Sequence, residues 1–344
     1  MRRALRLDYH DSSTTTPARK LRRQPPLDID MLDTLSAAQI QRYEDTGFCV
    51  IDQLLSPAEL AEWRAAVDEA VAVQLSWTPE ERDRMRADHA AFHNQEPERE
   101  ERSHYAEVFV QCVNLWKTTP RMRQLILNPA LGKIAAEASQ CGGIHLYHDH
   151  VLAKPPWAPA TNWHLDNGGD PFHSVNQVML WIGLDDANVA NGCVQIVEQS
   201  HKHAGFPQEN DIQATFAQDR GSAGLGSTTI AGCLPQFPEW DGLPIGYGEV
   251  KAGGAVLLSG MVAHSAGPNM SFDRRRAMCF VFMPEGATKN ANHGAMPDCV
   301  AERVGEGELL VDETHLPLLW SATTPTNYAA ASYDFVEDGQ AAKL

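Results

Sequence analysis

Leu60, Trp63, Ala66, Val67, Ala70 and Val71 recur every three or four positions, which puts them on one stripe of a helix. The residues ahead of the stripe supply its start. Ser56 can cap free amides, Pro57 presets φ for the first turn, and Glu59 can reach back to the cap. The helix is predicted to run to about Leu75. Upstream, a shorter helical stretch opens after Ser36 and stops near Gly47, and Phe48-Cys49-Val50-Ile51 follows as a short apolar strand. Two more helical stretches, 119–127 and 130–140, are separated by Asn128-Pro129. Segment 78–102 is dense in charge and reads as a solvated helix or loop.

After Cys141-Gly142-Gly143 the period changes to alternating or continuous apolar, predicting strands at 144–153, 175–184, 193–197, 254–259 and 275–283. The chain is thus helical first and β-rich second. Residues 204–248 form a long Gly- and Pro-rich interruption of the β half, read as a lid or mobile segment. The first thirty residues are basic, carry a Ser/Thr run and Pro25-Pro26, and lack apolar periodicity, so they read as a mobile tail. Asp8 and Asp11 count against an organelle transit peptide.

With 28 Lys and Arg against 45 Asp and Glu, the formal charge of -17 repels phosphate backbones and anionic lipid. Nucleic acid and membrane surfaces are therefore not expected as partners. No apolar run reaches the roughly 18 residues of a membrane span. The N-terminus also lacks the apolar core of a secretory signal, so a cytoplasmic protein is expected. The seven cysteines are dispersed and contain no C-x-x-C pair, which fits buried reduced thiols.

The candidate chemistry begins at Asn162-Trp163-His164-Leu165-Asp166-Asn167. In an extended chain residues i and i+2 face the same way, so His164 and Asp166 can hold one metal ion together. Composition alone makes one His-x-Asp unremarkable. Its weight comes from a second fragment: Gly253-Gly254-Ala255-Val256-Leu257-Leu258-Ser259, then His264-Ser265-Ala266-Gly267-Pro268-Asn269, then Arg274-Arg275-Arg276 opening a strand. This reads as a strand delivering a histidine at its end, a turn, and a return strand that starts with arginine. Two histidines and a carboxylate on one face of a metal leave positions open for Fe(II) oxygen chemistry, and an arginine beside them can clamp a carboxylate.

These fragments resemble the phytanoyl-CoA dioxygenase-like (PhyH) branch of the Fe(II)/2-oxoglutarate-dependent oxygenases. The resemblance runs from about Leu35 to Pro284. It includes the Leu-Ser-Pro-Ala-Glu-Leu helix start, Lys154-Pro155-Pro156, Trp163-His164-Leu165-Asp166, Trp181-Ile182-Gly183-Leu184-Asp185-Asp186, Asn191-Gly192-Cys193-Val194-Gln195-Ile196-Val197, and His264, Asn269 and Arg275. It implies a mainly β fold with helices: a double-stranded β-helix, or jelly roll, in one domain over 31–344. Residues 31–140 would be helical support, 141–285 the catalytic core with 204–248 inserted as a lid, and 286–344 a C-terminal extension. It also implies Fe(II) held by His164, Asp166 and His264, 2-oxoglutarate held by Arg275, and O2 as the oxidant. Succinate and CO2 would be released as a substrate C–H is hydroxylated. Halogenating relatives have a small residue where Asp166 stands, so hydroxylation, desaturation or ring formation is favoured.

The sequence departs from the family at Glu198-Gln199-Ser200-His201, where Pro-Gly-Ser-His is usual, and at Gly253-Gly254, where Gly-Asp is usual. Alternation favours Arg275 as the clamp because it shares a face with Ala277, Cys279 and Val281, leaving Arg274 and Arg276 as surface cations. Trp181 is either a co-substrate-pocket aromatic or a core tryptophan. His148, with His150, is a polar group of the pocket, an ordinary hydrogen-bonded histidine, or a zinc ligand. Segment 204–248 has Arg220 as its one basic residue against Glu209, Asp211, Asp219, Glu239 and Asp241. That balance favours a neutral or cationic small-molecule substrate, amino-acid-like or a natural product, with acyl-CoA hydroxylation as the alternative. A cupin-like isomerase or hydrolase that does not use 2-oxoglutarate, and a catalytically idle barrel, are the rivals. Oligomeric state is left open.

Overall fold

The computed structural model describes residues 31–89, 104–167, 170–172, 174–202, 227–291 and 296–326. Both early helices start where their caps are written. The side chains of Ser36 and Ser56 accept backbone N–H groups, and Gln39 and Glu59 reach back to complete reciprocal capping boxes. These open α1 (Ala37–Thr46) and α2 (Pro57–Ser76). Helix α1 ends at Gly47, whose φ of 86° suits a residue without a Cβ. Strand β1 (Phe48–Ile51) lies between them, and α3 (Pro79–His89), α4 (His104–Val108), β2 (Val110–Val113), α5 (Pro120–Ile126) and α6 (Pro129–Ser139) complete the first half.

The second half contains β3 (Gly143–Lys154), β4 (Val178–Gly183), β5 (Val194–Val197), α7 (Ile230–Cys233), β6 (Ile245–Gly248), β7 (Ala255–Ser259), β8 (His264–Ala266), β9 (Arg275–Pro284), α8 (Asp298–Arg303) and β10 (Leu318–Ser321). A seven-stranded sheet runs β1-β7-β4-β9-β3-β10, with β2 also paired to β3, and a three-stranded sheet runs β6-β5-β8. All the strand pairs are antiparallel. Between the sheets lies an apolar layer including Phe48, Val194, Ile196, Val256, Leu258 and Cys279. The outer face of the large sheet is covered by helices: α6 packs on β3 and β10, and Trp63 of α2 meets Phe280 edge-on at 5.9 Å. Burial on both faces explains why β4 and β9 read as continuous apolar runs. The architecture is the expected double-stranded β-helix.

Three expectations need correction. His264 does not end a strand of the large sheet; Gly260 to Ala263 turn the chain across, and His264 opens β8 in the small sheet. Segment 204–248 is not loop throughout. Residues 203–226 lie outside the described residues, with four of the six charged groups cited for the lid, but α7 and β6 are built into the fold and β6 pairs with β5. Arg276 is not a surface cation: its side chain is 13% exposed and bonds Asp185 and Asp68, whereas Arg274 is 60% exposed. The tail, 1–30, also lies outside the described residues. The described part of 286–344 returns to the sheet, where β10 pairs with β3.

At the departure from the family pattern, Gln199 takes φ 70°, a left-handed conformation costly for a residue with a Cβ. The turn still forms because the Ser200 hydroxyl accepts Ala263 N–H at 2.9 Å.

Candidate active site

His164 and Asp166 lie on the connection between β3 and β4, opposite β8. Backbone bonds pin that connection in place. His164 N–H donates to His264 O at 2.9 Å, His264 N–H returns to His164 O at 3.0 Å, and Asn167 N–H reaches Gly260 O at 3.1 Å. The bridge brings the two imidazoles to a centroid separation of 4.1 Å. Two residues further along the same face, Asp166 Oδ1 lies 3.8 Å from Nε2 of His164 and 3.7 Å from Nε2 of His264. One donor atom from each side chain falls within 4.8 Å of the others, and no second such trio occurs among the described residues.

The chemistry of the trio fits a metal ion. Nδ1 of His164 is 3.0 Å from Asn162 O and Nδ1 of His264 is 3.1 Å from Val262 O. Carbonyls only accept, so each ring carries its proton on Nδ1 and presents an Nε2 lone pair to the other ligands. Burial keeps both rings neutral, lowering His164 and His264 to about 4. Burial likewise raises Asp166 to about 6, and its buried Oδ2 has no hydrogen-bond partner among the described residues. Two neutral nitrogen donors and an under-satisfied carboxylate form a site that a divalent cation completes.

Arg275 opens β9 and is buried. Its Nη2 donates to Gly192 O at 3.1 Å, and its guanidinium lies 5.0 Å from the Trp181 ring and 5.7 Å from that of Phe109. Trp181 thus contributes to the core and to the wall beside Arg275. Cross-strand register explains the grouping: Trp181 is opposite Cys279, which is opposite His150, and Val281 is opposite His148. These rows face a cavity of about 270 Å³ that is also lined by the three candidate ligands and Arg275.

His148 lines this cavity, with Nδ1 3.3 Å from Nδ1 of His150. One ring donates and the other accepts. Burial lowers His148 to about 4 and His150 well below its ordinary value, so the pair is neutral. The zinc reading gains no third ligand among the described residues. His145 lies beyond the register shift around Tyr147, and its Nδ1 meets Leu316 O at 2.8 Å instead. Sequence reasoning missed Phe109, Gln111, Thr161, Asp170 and Ser265, which also line the cavity. Ser265 was findable as the neighbour of His264. Asp170, held well above its ordinary value by burial and by nearby Asp166, has no local signature.

Comparison with known proteins agrees with this geometry. The family model described as "Phytanoyl-CoA dioxygenase (PhyH)" matches residues 43–277. The chain is 22% identical to phytanoyl-CoA dioxygenase domain-containing protein 1 of Bos taurus over 278 residues, 74% of this chain and 92% of that protein. It is 25% identical to ectoine dioxygenase of Streptomyces avermitilis over 279 residues, 76% of this chain and 83% of the other. The fold is shared with the non-heme alpha-ketoglutarate-dependent carbocyclase SnoK from nogalamycin biosynthesis. There the TM-score is 0.60 at 24% identity, covering 84% of this chain and 98% of SnoK. Among the described residues no helix is long and apolar enough to cross a membrane. The chain belongs to the phytanoyl-CoA dioxygenase (PhyH) family and is an Fe(II)/2-oxoglutarate-dependent dioxygenase.

Proposed function

We propose that this dioxygenase hydroxylates an unactivated C–H of a neutral or cationic small molecule, amino-acid-like or a natural product, in the cytoplasm. The observation that carries the reading is a shared cavity: His164, Asp166, His264 and Arg275 all open onto the same space of about 270 Å³, walled by Leu152, Met179, Trp181 and Val281. His164, Asp166 and His264 would hold Fe(II), and Arg275 the distal carboxylate of 2-oxoglutarate. Fe(II) with its co-substrate supplies oxygen activation, coupled to release of succinate and CO2.

The remaining work belongs to the chain. Trp181 and Phe109 flank the guanidinium and strengthen its grip by excluding water. The neutral His148–His150 pair offers the substrate one donor or acceptor without a competing charge. Among the described lining residues Arg275 alone carries a permanent positive charge, and it is committed to the co-substrate. The described lining therefore offers no further cation for the three phosphates of coenzyme A.

A panel of amino acids, natural products and acyl-CoA thioesters, incubated with Fe(II), 2-oxoglutarate and O2, tests this reading. A member of the first two classes is expected to gain one oxygen atom with matching succinate release. A coenzyme A thioester as best substrate, with turnover falling as salt rises, would overturn the substrate class. Turnover of a substrate without 2-oxoglutarate would favour the cupin-like rival.

A further inference from the structure

Helix α8 and the segment before β10 assemble a second cluster of chemically active side chains, none of which lines the active-site cavity. Sγ of Cys299 lies 3.4 Å from Nε2 of His315, and Nδ1 of His315 lies 3.0 Å from Oδ1 of Asp312. The carboxylate is fixed by more than the histidine. Its Oδ1 accepts the backbone N–H of Thr314 at 3.0 Å and of His315 at 3.1 Å, and Arg303 donates to its Oδ2. Asp312 is nearly buried, and burial pushes its carboxyl up. Hydrogen bonds from the His315 side chain and backbone, with the charge of Arg303, outweigh this, so its pKa lies below the ordinary value and the group stays ionised.

Orientation follows from these bonds. An ionised carboxylate only accepts, so Nδ1 of His315 carries the proton and Nε2 presents its lone pair to the thiol. A nucleophile, a base within reach and a carboxylate that fixes the base's tautomer are the three parts of an activated thiol. Other cysteines contrast with this one. Cys49, Cys112, Cys193, Cys233 and Cys279 are buried. Cys141 is partly exposed like Cys299, but burial raises its thiol and its contact is to a carbonyl, Ser139 O.

We propose that Cys299 is a nucleophilic thiol, activated by His315 and oriented through Asp312, and that this cluster is a modification site for small-molecule disulfides. His315 Nε2 takes the Sγ proton. The thiolate attacks one sulfur of the disulfide, forming a Cys299 mixed disulfide as the original S–S bond breaks, and the departing thiolate takes the proton from the imidazolium and leaves as a thiol. The added disulfide is the oxidant, and its second sulfur is reduced. Attack at sulfur needs access to Sγ, and Cys299 as a residue is partly exposed.

The test is a substoichiometric pulse of iodoacetamide on the full-length protein, read by peptide mass and normalised to the urea-unfolded chain. Cys299 is expected to label at least about tenfold faster than Cys141. His315→Gln is expected to remove most of that advantage without a change in melting temperature. With glutathione disulfide, the wild type should gain one adduct on Cys299, and Cys299→Ser should gain none there. Equal labelling of Cys299 and Cys141 would overturn the proposal, and that comparison needs no variant. An unchanged Cys299 rate in folded His315→Gln would overturn it as well.

Discussion

Gly192 combines a φ of 84° with a carbonyl that accepts Arg275 Nη2 at 3.1 Å. A Cβ there would lie 2.5 Å from Gly267 O and 3.0 Å from the Lys154 side chain, so alanine forces the backbone away from the guanidinium. A hydrogen bond to a charged group contributes about 1.5–3 kcal/mol, so Gly192→Ala is expected to raise KM for 2-oxoglutarate about tenfold or more. Its effect on kcat should be smaller, and succinate release against co-substrate concentration checks both. At this scale the sequence was informative where chemistry is local. His164 and Asp166 are two residues apart, and Arg275 is singled out by the small residues that share its face. Phe109, Gln111 and Asp170 were not legible, because only β2 pairing with β3 and the path of a connection bring them to the cavity.

Between elements, Arg276 ties β9 to the end of β4 and to α2. Its Nε and Nη2 bond the two Asp185 oxygens at 3.0 Å, its backbone N–H reaches Asp185 Oδ2 at 2.9 Å, and its Nη1 reaches Asp68 at 3.0 Å. Arg64 of α2 adds a bond to Leu184 O at 2.7 Å. Arg276→Ala is expected to cost about 1–3 kcal/mol, more than an exposed pair contributes because the geometry is bidentate and partly buried. Burial raises Asp185, but bonds from Arg276 outweigh it and the folded pKa falls below 3.8. A depressed carboxylate contributes stability above its unfolded pKa and loses it as pH falls through the folded one. The gap between wild type and Arg276→Ala in urea denaturation should therefore be full near neutral pH and shrink below about pH 4. A gap independent of pH would mean that the arginine acts through packing alone. Elements with caps or long patterns, such as α1, α2, β3 and β9, were readable. Strands β2, β6, β8 and β10 span only three or four residues each, too few to show a period, and become strands because a neighbour accepts their hydrogen bonds.

Across the whole molecule, the candidate ligands join parts of the chain that only the closed barrel brings together. The 161–167 connection is held to β8 by the backbone bridge between His164 and His264 and by the bonds that Thr161 exchanges with Ser265 and Ala266. The site is largely shielded from water, so both imidazoles resist protonation and the Asp166 carboxyl is pushed toward holding a proton, two shifts with one cause, the cost of unpaired charge there. A divalent cation would relieve this and tie the 161–167 connection to β8, and the net charge of -17 adds long-range attraction for it. Metal binding is then folding free energy. At a hundredfold excess over Kd the stabilisation is about 2.7 kcal/mol, because the unfolded chain does not hold the three donors together. Mn(II) with 2-oxoglutarate, added without O2 to avoid turnover, is expected to raise the melting temperature of the chelator-treated protein. His264→Ala should abolish the Mn(II) rise, Arg275→Ala should remove only the increment due to 2-oxoglutarate, and Cys299→Ser should leave both. A Mn(II) rise of equal size in His264→Ala would place the cation elsewhere, and the three side chains would then be a buried polar cluster rather than the metal centre.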